Sequence, residues 1–361
     1  MDALKMGERV LHPLFGLGSV LADEKDGRVE VQFDQHDRKM LALKYALLRR
    51  VSPDEEAAIR TQAQASFAQT FEFESDGGEH SPGSHWPPFF EDFAQDALTR
   101  LPTLMREATQ AMGVSDFDRY RAPALPADWP KALRLRWPPL DRGIIFVLKA
   151  EADRNVLSAM FPWISRGTQA RLEVSRVHVF ASGVEAQVEA TIGAASITFY
   201  DTDFTSNAGW YRTGAAMEFI LCGLAYACEP AQEPDMLLDA DSPVLQDLRK
   251  AAIEAGHDPA QVTDRIGFKG AAVLLPIDEW DRDDYQFRGT IEEVEPYPML
   301  ECDGWMLKVC VLRDFDDDDQ NFALRILVTS RVWAQPEPPQ AGEDVCGAMW
   351  LQGRLWLPPT E

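Results

Sequence analysis

Apolar positions in this chain recur mostly with period two, so strands dominate the expectation. The clearest short case is Val29-x-Val31-x-Phe33, which shares a face with Val20; the two strands are joined by Asp26-Gly27, a hairpin signal. Ile144 to Leu148 is a continuous apolar run. Strands are then expected at Leu172 to Val174, Val177 to Phe180, Val184 to Ile192, Ser196 to Tyr200 and Ala216 to Ala227. A second set covers Ala271 to Leu275, Tyr285 to Val294, Trp305 to Arg313, Ala323 to Thr329, Asp344 to Trp350 and Arg354 to Leu357. Helical spacing is rarer. Ser52-Pro53-Asp54-Glu55-Glu56 supplies a cap, a first-turn proline and acids at the positive end of a helix running to about Phe71. Phe93, Ala97, Leu101, Leu104, Ala108 and Met112 mark a helical stripe over 89–112 that Pro102 should break or kink. Pro243 to Ala255 is a short amphipathic helix.

The first fifty residues carry a denser pattern: Gly7-x-x-Val10-x-His12-x-x-Phe15-Gly16-x-Gly18-x-Val20, then Lys39, Leu41, Leu47, Leu48 and Val51. Physically this is a small, strongly bent barrel, with Gly16 and Gly18 where a loop re-enters a strand. Over residues 6–51 it resembles the Tudor-like module at the C-terminus of UvrD/PcrA-type repair helicases and, more loosely, the RNA-polymerase-interaction module of CarD-like regulators. No helicase motor accompanies it. The resemblance implies docking on RNA polymerase or another protein. His12, Pro13, Leu14, Phe15, Arg38 and Lys39 are the candidate protein-binding residues, a partly apolar patch rimmed by basic charge. His12 itself reads as a packed or loop-bonded histidine before a catalytic one.

The two later β sets repeat one another weakly. One leads through Tyr200-Asp201-Thr202-Asp203-Phe204 to Thr213-Gly214-x-x-Met217-x-Phe219; the other leads past Trp333 to Ala341-Gly342-x-x-Val345-x-Gly347. That layout matches an OB-like Greek-key barrel, with a β-sandwich as the alternative. The expected fold is therefore mainly β with helical connections. A small SH3/Tudor-like barrel at 1–52 precedes two OB-like barrels at 141–230 and 265–361. A helical and Pro/Trp-rich region at 53–140 joins the first two, with a flexible linker near 75–88 in which His80 and His85 are solvent-facing spacers. A helical connection at 231–264 joins the barrels.

Charge narrows the partners. The chain has 59 acidic against 35 basic residues, a net charge of -24, yet residues 1–51 are nearly neutral. The anionic trunk would be repelled by nucleic acid, so a protein partner is expected and nucleic-acid binding by the trunk is not. No run of eighteen apolar residues offers a membrane span, and the N-terminus lacks the pattern of a signal peptide. Cys222, Cys228, Cys302, Cys310 and Cys346 lack CxxC spacing and read as buried, reduced thiols of a cytoplasmic protein.

Candidate chemistry is sparse. Tyr200-Asp201-Thr202-Asp203 places two carboxylates on alternate residues; with Trp210, Tyr211 and Arg212 this is the possible small site, although aspartates bonding a turn are the commoner meaning. The run Arg313 to Asn321, with Asp314 and Asp316 to Asp319, lacks the glycine and distal Glu of a calcium loop and reads as a charged hairpin tip. Glu279-x-Asp281-Arg282-Asp283-Asp284 reads the same way, and both runs could instead be a contact for a basic partner surface. No phosphate loop, nucleophile elbow or His-Glu-x-x-His helix occurs, so no cofactor or metal is expected. The leading expectation is a non-enzymatic adaptor. Its rivals are a tandem OB-like accessory protein for single-stranded nucleic acid and a hydrolase or transferase using Asp201 and Asp203.

Overall fold

Most strand pairs are antiparallel, and two of the longer strands each take two successive neighbours along one edge and pair with each other along the opposite edge; those two organise the molecule. The structure, a computed structural model, describes residues 3–12, 15–34, 38–74, 85–111, 125–126, 128–193, 195–232, 236–237, 242–262, 265–266, 268–313 and 321–356. Pro13, Leu14, His80 and the acidic run 314–320 lie outside these residues. Among the described residues, no helix is long and apolar enough to cross a membrane.

At the N-terminus, β1 (Arg9–His12), β2 (Gly16–Lys25), β3 (Arg28–Phe33), β4 (Lys39–Ala42) and β5 (Arg49–Arg50) form an antiparallel sheet ordered β4-β3-β2-β1-β5. Leu4, Val10, Val20, Val29, Val31, Phe33 and Leu48 fill its core, as the period-two pattern requires. Asp26 and Gly27 both take positive φ, 52° and 67°, and Lys25 pairs with Arg28 across them. Asp26-Gly27 thus forms the two-residue hairpin turn that its sequence signals.

Helix α1 (Pro53–Thr70) starts where expected, its Ser52 hydroxyl accepting from the Glu55 N–H at 3.2 Å. Its sequence is polar on most sides, as in helices that span between bodies. At its start, Arg9 of the head and Arg60 both donate to Asp34 and Glu56. Such pairs near the surface are worth about 0–1 kcal/mol each, so they orient the head more than they stabilise it. At its end, Phe67 and Phe71 pack edge-on to Trp129, and the Thr213 N–H donates to Thr70 Oγ1 at 3.2 Å. The helix thus rests on the trunk.

The trunk begins with β6 (Phe71–Phe73), which pairs with a later strand. Next come β7 (Thr109–Gln110), β8 (Ala132–Trp137), β9 (Arg142–Ala150) and β10 (Asn155–Ile164), a four-stranded antiparallel sheet ordered β10-β9-β8-β7. The continuous apolar run of β9 is explained by cover on both faces. Ile145 and Val147 join Phe161, Trp163, Tyr200 and Trp350 on one side; Ile144 and Phe146 join Trp86, Leu104 and Met160 on the other. The helix expected over 89–112 is instead three short turns, Phe93–Asp96, Leu98–Arg100 and Leu101–Glu107, followed by β7. Pro102 does not kink a long helix; it lies at the start of the last turn, where its missing N–H costs nothing.

The remaining strands are β11 (Thr168–Val179), β12 (Ala186–Ile192), β13 (Ala195–Asp201), β14 (Ala216–Pro230), β15 (Met236–Leu237), β16 (Arg265–Ile266), β17 (Val273–Pro276), β18 (Asp284–Pro296), β19 (Gly304–Leu312), β20 (Phe322–Thr329) and β21 (Asp344–Leu355). Ten strands form one sheet that closes on itself twice. One ring runs β11-β12-β13-β21-β14 and back to β11. The other runs β18-β19-β20-β14-β21 and back to β18. Both rings share the antiparallel β14–β21 pair, and each contains one parallel pair, β13–β21 or β14–β20. In β14, Ala216 to Leu221 face β11 while Cys222 to Leu224 face β20; in β21, Asp344 to Trp350 face β18 while Gln352 and Gly353 face β13. Each half of the trunk therefore lends its last long strand to the other half's ring. The glycines before those strands, Gly214 and Gly342, take φ of 78° and 90°, the left-handed turn their sequence positions implied.

Three expectations need correction. Leu172 to Val174 and Val177 to Phe180 lie mainly in one strand, bulged between Val174 and Arg176, and Asp344 to Leu355 is also one strand. The region 53–140 is not only helical, because β7 and β8 lie in it. His85 is not a solvent-facing spacer: it is 1% exposed and stacks on Trp350 at 3.9 Å.

Candidate functional site

β13 ends in Tyr200-Asp201, and Thr202 then bonds the Gly353 carbonyl of β21 through both its N–H and its hydroxyl. That contact holds the following residues against the ring wall, where Phe204–Asn207 forms a helical turn. Asp201 is buried inside the bend. Its Oδ1 accepts from the Asp203 N–H at 2.9 Å and from Asn207 Nδ2 at 3.4 Å, and its Oδ2 accepts from the Tyr211 hydroxyl. Burial pushes the Asp201 carboxyl up to about 7; the Tyr211 hydrogen bond opposes this, and the neighbouring charge of Asp203 adds to it.

Asp203 has a different environment. It forms an ion pair with Arg134 of β8, a guanidinium only 4% exposed. Arg134 also donates to the Thr202 carbonyl at 3.1 Å and to Ser206 Oγ at 3.1 Å. A charge this deep is tolerated because its donors are nearly all engaged. Of the five residues expected at the small site, Asp201, Asp203 and Tyr211 come together. Trp210 and Arg212 make no hydrogen bond to either carboxylate among the described residues. Arg212 donates to the Gly209 and Tyr211 carbonyls, and burial pulls its pKa down, while Trp210 packs against the ring core. Arg134 and Asn207 were missed because neither is marked by local spacing.

A second group of acids surprises more. Asp281, Asp283 and Asp284 bring one carboxylate oxygen each within 4.8 Å of one another. Asp281 is exposed, but Asp283 is fully buried and Asp284 nearly so. Hence the expected charged hairpin tip at 279–284 is wrong for its last two residues: β18 starts there and draws them under the ring wall. Asp283 Oδ1 accepts from Gln187 Nε2 at 2.8 Å and Oδ2 from Trp350 Nε1 at 3.0 Å. Asp284 accepts from the Tyr226 hydroxyl at 2.8 Å, and Tyr226 in turn meets His85 Nδ1. No Arg or Lys forms an ion pair with Asp283 or Asp284 among the described residues. Burial, reinforced by the charge of Asp284, holds Asp283 well above the usual carboxylate range; burial also lifts Asp284 to about 6. Among the described residues the three carboxyls come nearest to a cation-binding set, but the side-chain donors to Asp283 and Asp284 are neutral.

On the head, His12 is 9% exposed. Its ring stacks on Phe15 at 4.6 Å, and its Nδ1 accepts from the Phe15 N–H at 3.3 Å. Burial lowers its pKa. Phe15 is half-buried against Phe33, with the Lys39 ammonium 5.9 Å from its ring, and Arg38 pairs with Glu30. His12 is thus packed, as a loop-bonded histidine should be, and is not an open contact residue. The exposed apolar side chains lie further on: Met40, Tyr45 and Leu47 are 59%, 77% and 75% exposed. Sequence reasoning missed this segment, although Leu47 and Leu48 cannot both face so small a core.

Comparison with known proteins adds no family: no protein-family model matches the chain, and no curated protein is found to be related to it.

Proposed function

We propose that the chain is a non-enzymatic adaptor whose head grips another polypeptide through the segment Met40 to Leu47. One observation carries this reading. Of the ten large apolar side chains exposed among the described residues, four (Met6, Met40, Tyr45 and Leu47) lie in the first fifty residues, in or beside the small N-terminal sheet. Exposed apolar surface so concentrated costs solubility unless something covers it. Lys44, whose ammonium lies 5.4 Å from the Tyr45 ring, sets a basic charge beside the segment and favours a polypeptide of acidic character, while Arg38 and Arg49 are paired with Glu30 and Glu55. RNA polymerase is the partner that the Tudor-like resemblance implies, and it is the one to test.

The finer fold reading belongs with this proposal. The head is read as an SH3/Tudor-like barrel. Each trunk ring is read as an OB-like barrel: three consecutive antiparallel strands, a closing strand, and a fifth strand parallel to the third. The buried carboxylates support a non-catalytic trunk, because Asp201 spends both oxygens on the turn it holds. The mechanism is steric and electrostatic, with no bond chemistry.

The test is capture of purified bacterial RNA polymerase by the full chain and by the double variant Tyr45→Ser, Leu47→Ser. Capture by the native chain and its loss in the variant, at unchanged melting temperature, is the expected result. Capture that survives the double change, or none by the native chain, refutes the reading.

A further inference from the structure

In a chain with a net charge of -24, one cleft of the trunk is lined by three arginines. It lies between the four-stranded sheet and the ring wall, with a volume of about 200 Å³. Arg134 and Arg136 come from alternate positions of β8, and Arg354 comes from β21. Trp163, Ser165, Ile145, Ala111 and Asp203 complete the lining. Arg134 is neutralised by Asp203. Arg136 and Arg354 have no carboxylate within ion-pair distance among the described residues; Arg354 donates one Nη2 bond to the Ser165 carbonyl at 3.1 Å.

Three N–H groups of this lining, Arg136 Nε, Arg354 Nε and Trp163 Nε1, are shut off from solvent without an acceptor. Trp163 as a whole is only 8% exposed. Buried donors are nearly always paired in folded proteins, so three orphans around one cleft call for an explanation. Arg136 and Arg354 are half-buried side chains that no carboxylate neutralises among the described residues. A ligand that supplies oxygens and negative charge pairs with both guanidiniums.

We propose that this cleft is an anion-binding site for a small molecule bearing a compact oxyanion, a phosphate or a carboxylate, held between Arg136 and Arg354. The planar forks of two arginines suit such an oxyanion geometrically. Ile145, Ala111 and the Trp163 ring offer apolar contact to the remainder of the ligand. The volume admits a small molecule and excludes a folded partner, so the site is independent of the head's docking surface. Asp203 on the rim disfavours ligands whose charge extends toward Arg134.

Isothermal titration of the full chain with inorganic phosphate and, separately, with succinate at constant ionic strength tests the site and tells the two sources apart. The native chain should bind one of them saturably, and Arg136→Gln and Arg354→Gln should each bind it at least about tenfold more weakly. Arg28→Gln, an exposed change on the head, should bind like the native chain. Ala111→Trp fills the cleft without altering a guanidinium and should abolish binding. The Arg136 side chain has no hydrogen-bond or ion-pair partner to lose among the described residues, so Arg136→Gln should melt, without anion, no lower than the native chain. Absence of saturable binding by either anion overturns the proposal. Native-like affinity in both Arg136→Gln and Ala111→Trp does so as well.

Discussion

The two buried acid clusters contain the same side chain and meet opposite fates. At the first, Arg134 reaches across from another sheet and Asp203 sits beside a permanent positive charge. At the second, the side chains that bond Asp283 and Asp284 among the described residues are neutral: Gln187 and Trp350 for the first, Tyr226 for the second. Neutral N–H and O–H donors favour the charged form by less than burial disfavours it, so both carboxyls hold their protons more tightly than a free carboxyl does. A buried carboxyl without a guanidinium beside it is thus shifted upward. What decides is whether the topology delivers a guanidinium.

The sharpest break of that comparison is Arg134→Met. It strands Asp203 without its counter-ion and should cost about 3–5 kcal/mol in urea denaturation. Adding Asp203→Asn should restore part of the loss; no recovery in the double variant would show that Arg134 acts by packing alone.

Next comes pH. Asp283 keeps its proton in the folded chain above the pH at which the unfolded chain releases it, near 4. The folded state therefore binds more protons as pH rises from there, and stability falls by about 1.4 kcal/mol per pH unit until the folded group itself ionises. Asp283→Asn cannot ionise, and its slope should flatten relative to the native chain. The variant should gain on the native protein as pH rises above about 4 in matched denaturation curves, roughly in step with that slope. An offset that does not change with pH would leave Asp283 charged and the comparison broken.

Tyr211→Phe acts more gently. It removes one donor from Asp201 for about 1 kcal/mol and lifts that carboxyl above its present value of about 7. Carboxyl chemical shifts followed by pH titration would reveal the rise; an unmoved midpoint would mean that Tyr211 does not hold the charge. Smallest of all, Leu47→Ser on the exposed head segment should change stability by no more than about 0.5 kcal/mol, checked by thermal melting. A larger loss would place Leu47 in the core and count against its role as a contact.

Much of the β content was legible because alternation survives in each strand by itself. The hairpin at Asp26-Gly27 and the cap at Ser52 were legible too, since both depend on neighbours in sequence. Asp201 and Asp203 were found because they stand on alternate residues at a strand end, but the partner of Asp203, Arg134, lies nearly seventy residues earlier. Asp283 and Asp284 were misplaced for the same reason. A run of acids reads as a solvent loop unless one knows that Trp350 and Tyr226 arrive from distant strands. On the head, the interest fell on His12 and Phe15, whose rings turned out to satisfy each other, and passed over Met40 to Leu47.

Sequence alone settled the period of the strands, the polar helix between head and trunk, and the surplus of negative charge. These follow from the order of side chains along a few turns or one strand. Only the tertiary structure decided that two long strands are shared between two closed rings, which acids are buried, and where three arginines meet. Burial and pairing are properties of residues far apart in the chain, and no local pattern records which of them will share a wall.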